Sequence, residues 1–352
     1  MTVTADGGLP LVGPLTPPAG PRPAPGRPAA VWIRVAGPRP ASPHNRHDAT
    51  PLKGKSVTTA PPVRRPGDLA LYFAVTFTTS WAFWLVAIAL GGSVKGSPAA
   101  IPYVLGGFGP VIGAIVVRAR RARRREPAPA HTVGLRLSKR LGWVLPLLVM
   151  ASATVLAGVV LAHLLGGPAV SLAEGRSLIS DAGGPVPFFV AMLVAGPLSE
   201  EPGWRGTAYP RMRASLGRLQ AGLLLGAVWA VWHVPLFFVR GTLQAGFGLI
   251  SWSGLLFVLS VIPVALLTGD AYERAGVAAS IAVHLGVNGT TAVLGASSPS
   301  AQAAVLAVQS IVAITLLAWQ RGRPVDRSSV HVVPQAHRAG TNSPHQISRT
   351  RG

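Results

Sequence analysis

Apolar segments long enough to cross a bilayer recur along the middle of the chain, separated by short polar or basic links. A transmembrane helix needs roughly 20 predominantly apolar residues. We predict an all-α, polytopic membrane protein in which about eight transmembrane helices enclose an intramembrane cavity. The predicted spans are about 69–90, 100–117, 141–165, 186–210, 219–239, 249–268, 276–294 and 301–319.

The two ends of the chain differ in composition from this apolar middle. Residues 1–66 are rich in Pro, Ala, Gly and Arg and have almost no periodic apolar pattern, and the C-terminal stretch is similar. Such sequences bury too little apolar surface to offset the entropy lost on ordering the chain. We therefore predict disordered tails at 1–66 and 321–352, with a transmembrane domain at 67–320.

Basic residues fall mainly on one side of the membrane when the eight spans are threaded through it. The net charge is +21, and 29 of the 32 Lys and Arg residues share the side that holds both termini, leaving Lys95, Arg176 and Arg240 opposite. Because basic loops stay in the cytoplasm, we predict a multi-pass protein of the inner (plasma) membrane with both termini cytoplasmic. This distribution favours contact with the lipid bilayer over nucleic acid, which is not an expected partner.

Two adjacent carboxylates, Glu200 and Glu201, stand well inside apolar sequence. A charged side chain in the hydrocarbon core is costly, so a buried pair indicates a functional site. Arg205 follows Glu201 by one helical turn and can keep it ionised, which leaves Glu200 on a different face of the helix. Asp270 and Glu273, in contrast, are expected in a short solvated loop after the sixth span.

Two other spans carry a histidine with a partner four residues away. Trp229 precedes His233, and Asn288 follows His284, so the members of each pair share a helix face. At the rise of an α-helix, Glu200, His233 and His284 lie roughly 15 to 22 Å from the basic residues that mark one membrane surface. Side chains at matching depths on three helices can meet in one interior cavity.

Prolines stand close to both candidate regions, because Pro202 follows the carboxylates and Pro235 follows His233. Each removes a helical hydrogen bond and loosens the helix at that point. Irregular backbone at membrane depth is tolerated only where it is buried in protein or lines a cavity. The prolines therefore support a site at this depth.

A carboxylate, two imidazoles and an amide provide what hydrolysis of an amide bond requires. Glu200 can act as a general base on water with help from His233, while His284 and Asn288 donate hydrogen bonds to the oxyanion. Alternatively, Glu200, His233 and His284 can hold a divalent metal such as Zn²⁺, with an open position for water. The residues leave both mechanisms open. The chain has no cysteine, which excludes a cysteine nucleophile and thiolate ligands.

Three motifs in this order resemble the CPBP family of intramembrane proteases, also called the Abi or type II CAAX prenyl endopeptidase family, and its bacterial branch in particular. The family's motifs are E-E-x-x-x-R, an aromatic residue followed by x-x-x-His, and H-x-x-x-N. Phe is common in the family where Trp stands here. The matching residues are Glu200, Glu201, Arg205, Trp229, His233, His284 and Asn288.

The resemblance implies an eight-helix fold and cleavage of a peptide or membrane-protein substrate. It implies that Glu200 activates water beside His233 and that His284 and Asn288 assist. Glu201 and Arg205 would then be structural or would orient the substrate. Members are described both as metalloproteases and as glutamate-dependent enzymes. Two other functions remain open: a non-catalytic bacteriocin-immunity or scaffold protein of the same fold, and a transporter with a buried proton relay. A composition typical of high-GC bacteria makes a prenylated substrate unexpected.

Overall fold

The computed structural model of the protein describes residues 67–133 and 140–321. This part of the chain is built from helices and contains no β-strand, as predicted. Its α-helices are α1 Gly67–Leu90, α2 Ala100–Gly106, α3 Gly109–Arg123, α4 Val144–Leu164, α5 Ala173–Asp181, α6 Pro185–Leu193, α7 Ser199–Gly203, α8 Tyr209–Arg213, α9 Arg218–Trp232, α10 Leu243–Phe247, α11 Trp252–Ala275, α12 Val277–Val293 and α13 Pro299–Arg321. The predicted tails lie outside the described residues, apart from Arg321, which ends α13.

Five helical segments of the described chain are individually long and apolar enough to cross a membrane. These are Gly67–Leu90, Leu141–Leu164, Arg218–Phe238, Trp252–Ala275 and Pro299–Trp319. Two further crossings exist if a bent helix pair counts as one span: α2 with α3, bent by 45°, and α5 with the run Pro185–Arg213, bent by 88°. The seventh predicted span is α12, which at 17 residues is shorter than a full crossing. The chain is thus an all-α polytopic membrane protein in which every predicted span overlaps a helix, although two spans are bent and one is short.

The 88° bend occurs where two glycines separate α5 from α6. Gly183 and Gly184 have φ values of +84° and +116°, which side chains other than glycine rarely adopt. Pro185 then begins α6 with the backbone angle that a first helical turn requires. These three residues set the direction in which the run carrying Glu200 enters the bundle.

Helix α11 extends further than predicted and changes the environment of two carboxylates. It continues through Asp270 and Glu273 and ends at Gly276, whose φ is +74°. Asp270 is buried and pairs with Arg274 at 2.6 Å, while Glu273 pairs with Arg213 of α8 at 2.7 Å. The prediction of a solvated loop was wrong because these acids have cationic partners on their own and neighbouring helices.

The basic segments that the sequence places on one side of the membrane meet at one end of the helix bundle. Asp68 at the start of α1 pairs with Arg121 of α3 at 2.6 Å and with Arg211 of α8 at 3.8 Å. Arg274, at the end of α11, lies over the ring of Trp143 before α4, with 5.2 Å between guanidinium and ring centre. The clustering agrees with the predicted threading, while the side of the membrane on which it lies stays a prediction.

The run from Pro185 to Arg213 departs from α geometry on both sides of α7. Val194–Leu198 and Trp204–Ala208 are π-helical, and the first contains Pro197. Because Pro197 has no N–H, the carbonyl of Leu193 cannot make its usual α-helical bond, and a wider turn offers it the next donor along the chain. Helix α7, with Glu200 and Glu201, therefore stands between two wide turns and packs against α3 and α12.

Candidate active site

Glu200 lies in the protein interior, where two indole groups hold one of its oxygens. Its Oε2 accepts a hydrogen bond from Trp229 Nε1 at 2.8 Å and another from Trp204 Nε1 at 3.3 Å. Trp204 stands one turn further along the same run, and Trp229 lies on α9. The residue is only 6% exposed. Both donors thus hold the same oxygen, and Oε1 takes part in neither bond.

Glu201 connects two other motifs through a single oxygen. Its Oε1 lies 3.0 Å from Arg205 Nη1 and accepts a hydrogen bond from His284 Nδ1 at 2.8 Å. Glu201 and Arg205 are both fully buried. The predicted ion pair between them is present. Its contact with His284 was not predicted, and it makes Glu201 the group that orients the imidazole.

Arg205 also contacts an aromatic ring of the site. Its guanidinium lies over Trp229, 4.4 Å from the ring centre, a distance at which a cation is attracted to the ring face. Among the described residues, its Nε and Nη2 have no hydrogen-bond partner, and neither has Oε2 of Glu201. The charge of Arg205 is therefore balanced chiefly by one carboxylate oxygen and one indole ring, so its burial depends strongly on Glu201.

His284 and Asn288 lie one turn apart on α12 and direct polar atoms to the same place. A Cβ atom built on Gly196 would lie 3.6 Å from Asn288 Nδ2 and 3.9 Å from both His284 Nε2 and Glu200 Oε1. Because His284 Nδ1 is held by Glu201, its Nε2 is the nitrogen that faces this point. Polar atoms from two of the three predicted motifs therefore converge beside the backbone of one glycine.

His233 lies at the end of α9, where the chain continues as the 3-10 helix Val234–Phe238. Its Nδ1 donates a hydrogen bond to the carbonyl of Trp229 at 2.8 Å, which leaves Nε2 free to accept. The Trp229 ring contacts both imidazoles, with centroid distances of 5.8 Å to His233 and 5.2 Å to His284. The aromatic contact predicted for His233 is present, and Trp229 is the side chain that joins all three motifs.

The three residues considered as metal ligands do not form a ligand group. In residues 67–133 and 140–321, no three His, Asp or Glu side chains are placed to hold a metal ion together. One oxygen of Glu200 is held by two indoles, and His284 and His233 each use Nδ1 in another hydrogen bond. These hydrogen bonds do not involve Glu200 Oε1 or Nε2 of either histidine. The metal site at these three residues stays a prediction.

Sequence reasoning missed Trp204 and Gly196, and it missed one contact of Trp229. Trp204 follows Glu200 by four residues, the same spacing that identified the Glu201–Arg205 pair, so the spacing rule could have found it. Trp229 was considered only as an aromatic neighbour of His233, and its donation to Glu200 joins α9 to α7 across 29 positions of the chain. No pattern in the sequence marks Gly196 as part of the site, apart from its position one turn before Glu200.

The part of the chain that carries the three motifs resembles a known protein family. Residues 182–290 match the model of the family described as "Type II CAAX prenyl endopeptidase Rce1-like". A protein of Methanococcus maripaludis named CAAX prenyl protease 2 is 27% identical over 203 residues, which cover 56% of this chain and 73% of that protein. The matched segment includes all three motifs, and both names indicate a protease. Through this segment the chain is similar to the type II CAAX prenyl endopeptidase family of membrane proteases.

Proposed function

We propose that this protein is an intramembrane endopeptidase in which Glu200 activates the water that attacks a peptide bond. The observation that carries the proposal is the convergence of Glu200 Oε1, His284 Nε2 and Asn288 Nδ2 beside Gly196. A base and two hydrogen-bond donors around one point are what hydrolysis of a carbonyl compound requires. Burial strengthens each of these interactions relative to water.

In the proposed reaction, Oε1 of Glu200 takes a proton from water while the water oxygen bonds to the carbonyl carbon of the substrate. Asn288 donates a hydrogen bond to the oxyanion, and so does Nε2 of His284 when both ring nitrogens carry protons. Collapse of the tetrahedral intermediate breaks the C–N bond, and Glu200 returns its proton to the departing amine. His233 accepts a hydrogen bond from the water through its free Nε2 and helps to position it.

Trp204, Trp229 and Glu201 position the reacting groups in this scheme. Two indole N–H groups hold Oε2 of Glu200 and thereby set the direction of Oε1. The carboxylate of Glu201 accepts from Nδ1 of His284 and holds the ring with Nε2 toward the substrate. Trp204 lies on the same helical run as Glu200, whereas Trp229 holds Glu200 from α9 and Glu201 holds His284 across to α12.

The proposed substrate is a peptide or a membrane protein whose scissile bond enters the bundle from the bilayer. Because the Methanococcus relative is named CAAX prenyl protease 2, we propose a C-a-a-X tail as a first probe. We further propose that the protein resides in the plasma membrane with both termini in the cytoplasm. The cluster of basic residues at one end of the bundle supports this orientation.

The proposal is tested by cleavage assays on the purified full-length protein in detergent or nanodiscs. Two probes are used: a synthetic peptide with an S-farnesylated C-a-a-X tail, and a peptide library prepared from bacterial membrane proteins. Mass spectrometry identifies new termini, and parallel assays contain a chelator. We expect cleavage of at least one probe, retained with the chelator. Cleavage of neither probe, or cleavage lost with chelator and restored by added Zn²⁺, would contradict the scheme.

Replacement of His233 by alanine is expected to lower kcat/KM by at least 10²-fold, the usual contribution of a side chain that assists proton transfer. The matched control is His163→Ala, which alters an exposed histidine in the last turn of α4, outside the three motifs. We expect the control to cleave as the wild type does. Equal activities of the two variants would show that His233 takes no part in the reaction.

Replacement of Trp229 by phenylalanine is expected to lower kcat by roughly 10- to 10²-fold, since a hydrogen bond to a charged group contributes about 1.5 to 3 kcal/mol. Phenylalanine keeps an aromatic ring beside both histidines but cannot donate to Glu200. Trp204→Phe is the comparison variant, and its longer hydrogen bond of 3.3 Å predicts a smaller loss. Steady-state kinetics at saturating probe separate kcat from KM. A kcat equal to the wild-type value in Trp229→Phe would show that the indole of Trp229 does not position Glu200.

A further inference from the structure

Gly196 has no structural reason to be glycine. A Cβ atom added there would have its nearest neighbour at 3.6 Å, which is ordinary van der Waals contact. Its backbone is not among those with positive φ, so the conformation is one that alanine adopts freely. Glycine is also less favourable than alanine within a helical segment. Neither packing nor backbone conformation accounts for the residue.

Other buried glycines of the bundle differ from Gly196 in this respect. An added Cβ would lie 2.4 Å from the carbonyl oxygen of Pro110 at Gly203, and 2.5 Å from Cα of Val305 at Gly158. Close helix packing explains both of those glycines, because any side chain would push the helices apart. At Gly196 the atoms around the added carbon belong to the polar groups of the site.

We propose that Gly196 is the residue against which the scissile peptide group of the substrate lies. The inference rests on the proposed function and adds a substrate-contacting residue to it. The added Cβ would be about equally distant from Asn288 Nδ2, His284 Nε2 and Glu200 Oε1, at 3.6 to 3.9 Å. A methyl group at that point would fill the space among the base and the two oxyanion donors. With hydrogen there instead, a planar peptide group can approach the helix backbone closely.

The position of Gly196 in the chain suits this contact. It lies in the π-helical turn Val194–Leu198, one turn before Glu200. The glycine that would contact the substrate and the proposed base therefore belong to one continuous helical run. The other two atoms come from α12, which packs against that turn. Glycine, base and oxyanion donors are thereby fixed relative to one another. This arrangement selects the backbone of an extended peptide rather than a particular side chain.

The test compares Gly196→Ala with Gly289→Ala in the full-length protein. Gly289 is also buried, follows Asn288 directly, and would place its Cβ 3.6 Å from the nearest atom, but that atom is Cε1 of Phe189. The two substitutions thus add the same methyl group at the same closeness of packing, one against polar site atoms and one against an apolar ring. Thermal unfolding and kcat/KM are measured for both variants with whichever probe the wild type cleaves.

We expect Gly196→Ala to unfold at or above the wild-type temperature and to lose at least 10²-fold in kcat/KM, because small misplacements of the reacting carbonyl are costly. Gly289→Ala is expected to keep wild-type kcat/KM. Unchanged kcat/KM in Gly196→Ala, a loss no greater than in Gly289→Ala, or a lower unfolding temperature confined to Gly196→Ala would each overturn the inference. If Glu200→Gln is inactive while Gly196→Ala cleaves normally, the inference about Gly196 is wrong and the proposed function stands. If the wild-type protein cleaves no probe, the proposed function itself is wrong.

Discussion

Glu200→Gln is expected to abolish peptide cleavage while leaving the fold intact. The amide cannot take a proton from water at neutral pH, so the reaction loses its base, and the expected fall in kcat is roughly 10⁴-fold or more. The partners of Oε2 are two indole N–H groups rather than a cation, and the amide oxygen of glutamine can accept from both. Removing the charge therefore leaves no buried cation unpaired, and the unfolding temperature should stay close to that of the wild type.

Cleavage of the probe and thermal unfolding are measured on the same Glu200→Gln preparation. Substantial residual cleavage would show that another group activates the water. A large drop in unfolding temperature would instead show that the carboxylate has a structural role that its hydrogen bonds do not reveal. Either outcome would change the assignment of the base.

Glu201→Gln is expected to have the opposite pattern, with a large loss of stability and a smaller loss of activity in the folded protein. The substitution leaves Arg205 fully buried without its counter-charge, and breaking a buried ion pair in this way costs about 3 to 5 kcal/mol. The glutamine oxygen can still accept the hydrogen bond from His284, so the imidazole keeps its orientation. Unfolding temperature and activity per folded molecule provide the two measurements.

A double replacement separates the two roles of Glu201. In Glu201→Leu with Arg205→Met both charges are removed, and apolar replacement of a buried pair is often neutral or stabilising. Stability should therefore return towards the wild-type value. Activity should not return, because His284 has lost its acceptor and is free to turn. Full activity in the stable double variant would contradict an orienting role for Glu201, and stability as low as in Glu201→Gln would contradict the ion-pair argument.

Contacts within one helix could be predicted from the sequence, whereas contacts between helices could not. Spacing by four residues paired Glu201 with Arg205 and Trp229 with His233, because such pairs depend only on the geometry of one helix. The hydrogen bond between Glu201 and His284 joins residues 83 positions apart. It depends on how α7 packs against α12, and no local pattern encodes that packing. The hydrogen bond from Trp229 to Glu200 also joins different helices, so it was not predicted either.

The positions of the spans followed from hydropathy, but their shapes did not. Hydropathy identifies where a segment is apolar and contains no information about its direction, so the 88° bend at Gly183 and Gly184 was not foreseen. Pro202 and Pro235 correctly indicated irregular backbone beside the site. The kind of irregularity, π-helical turns around α7 and a 3-10 helix after α9, depends on which donors neighbouring residues offer.

The most direct test of water activation by Glu200 is cleavage of the probe in H₂¹⁸O by the wild-type protein and by Glu200→Gln in parallel. Mass spectrometry of the products then reports the origin of the oxygen in each new carboxyl terminus. The account predicts that the wild-type protein incorporates one ¹⁸O atom from solvent at a single cleavage site, and that Glu200→Gln yields no product there. Product formed by Glu200→Gln at the wild-type rate with the same ¹⁸O label would contradict it.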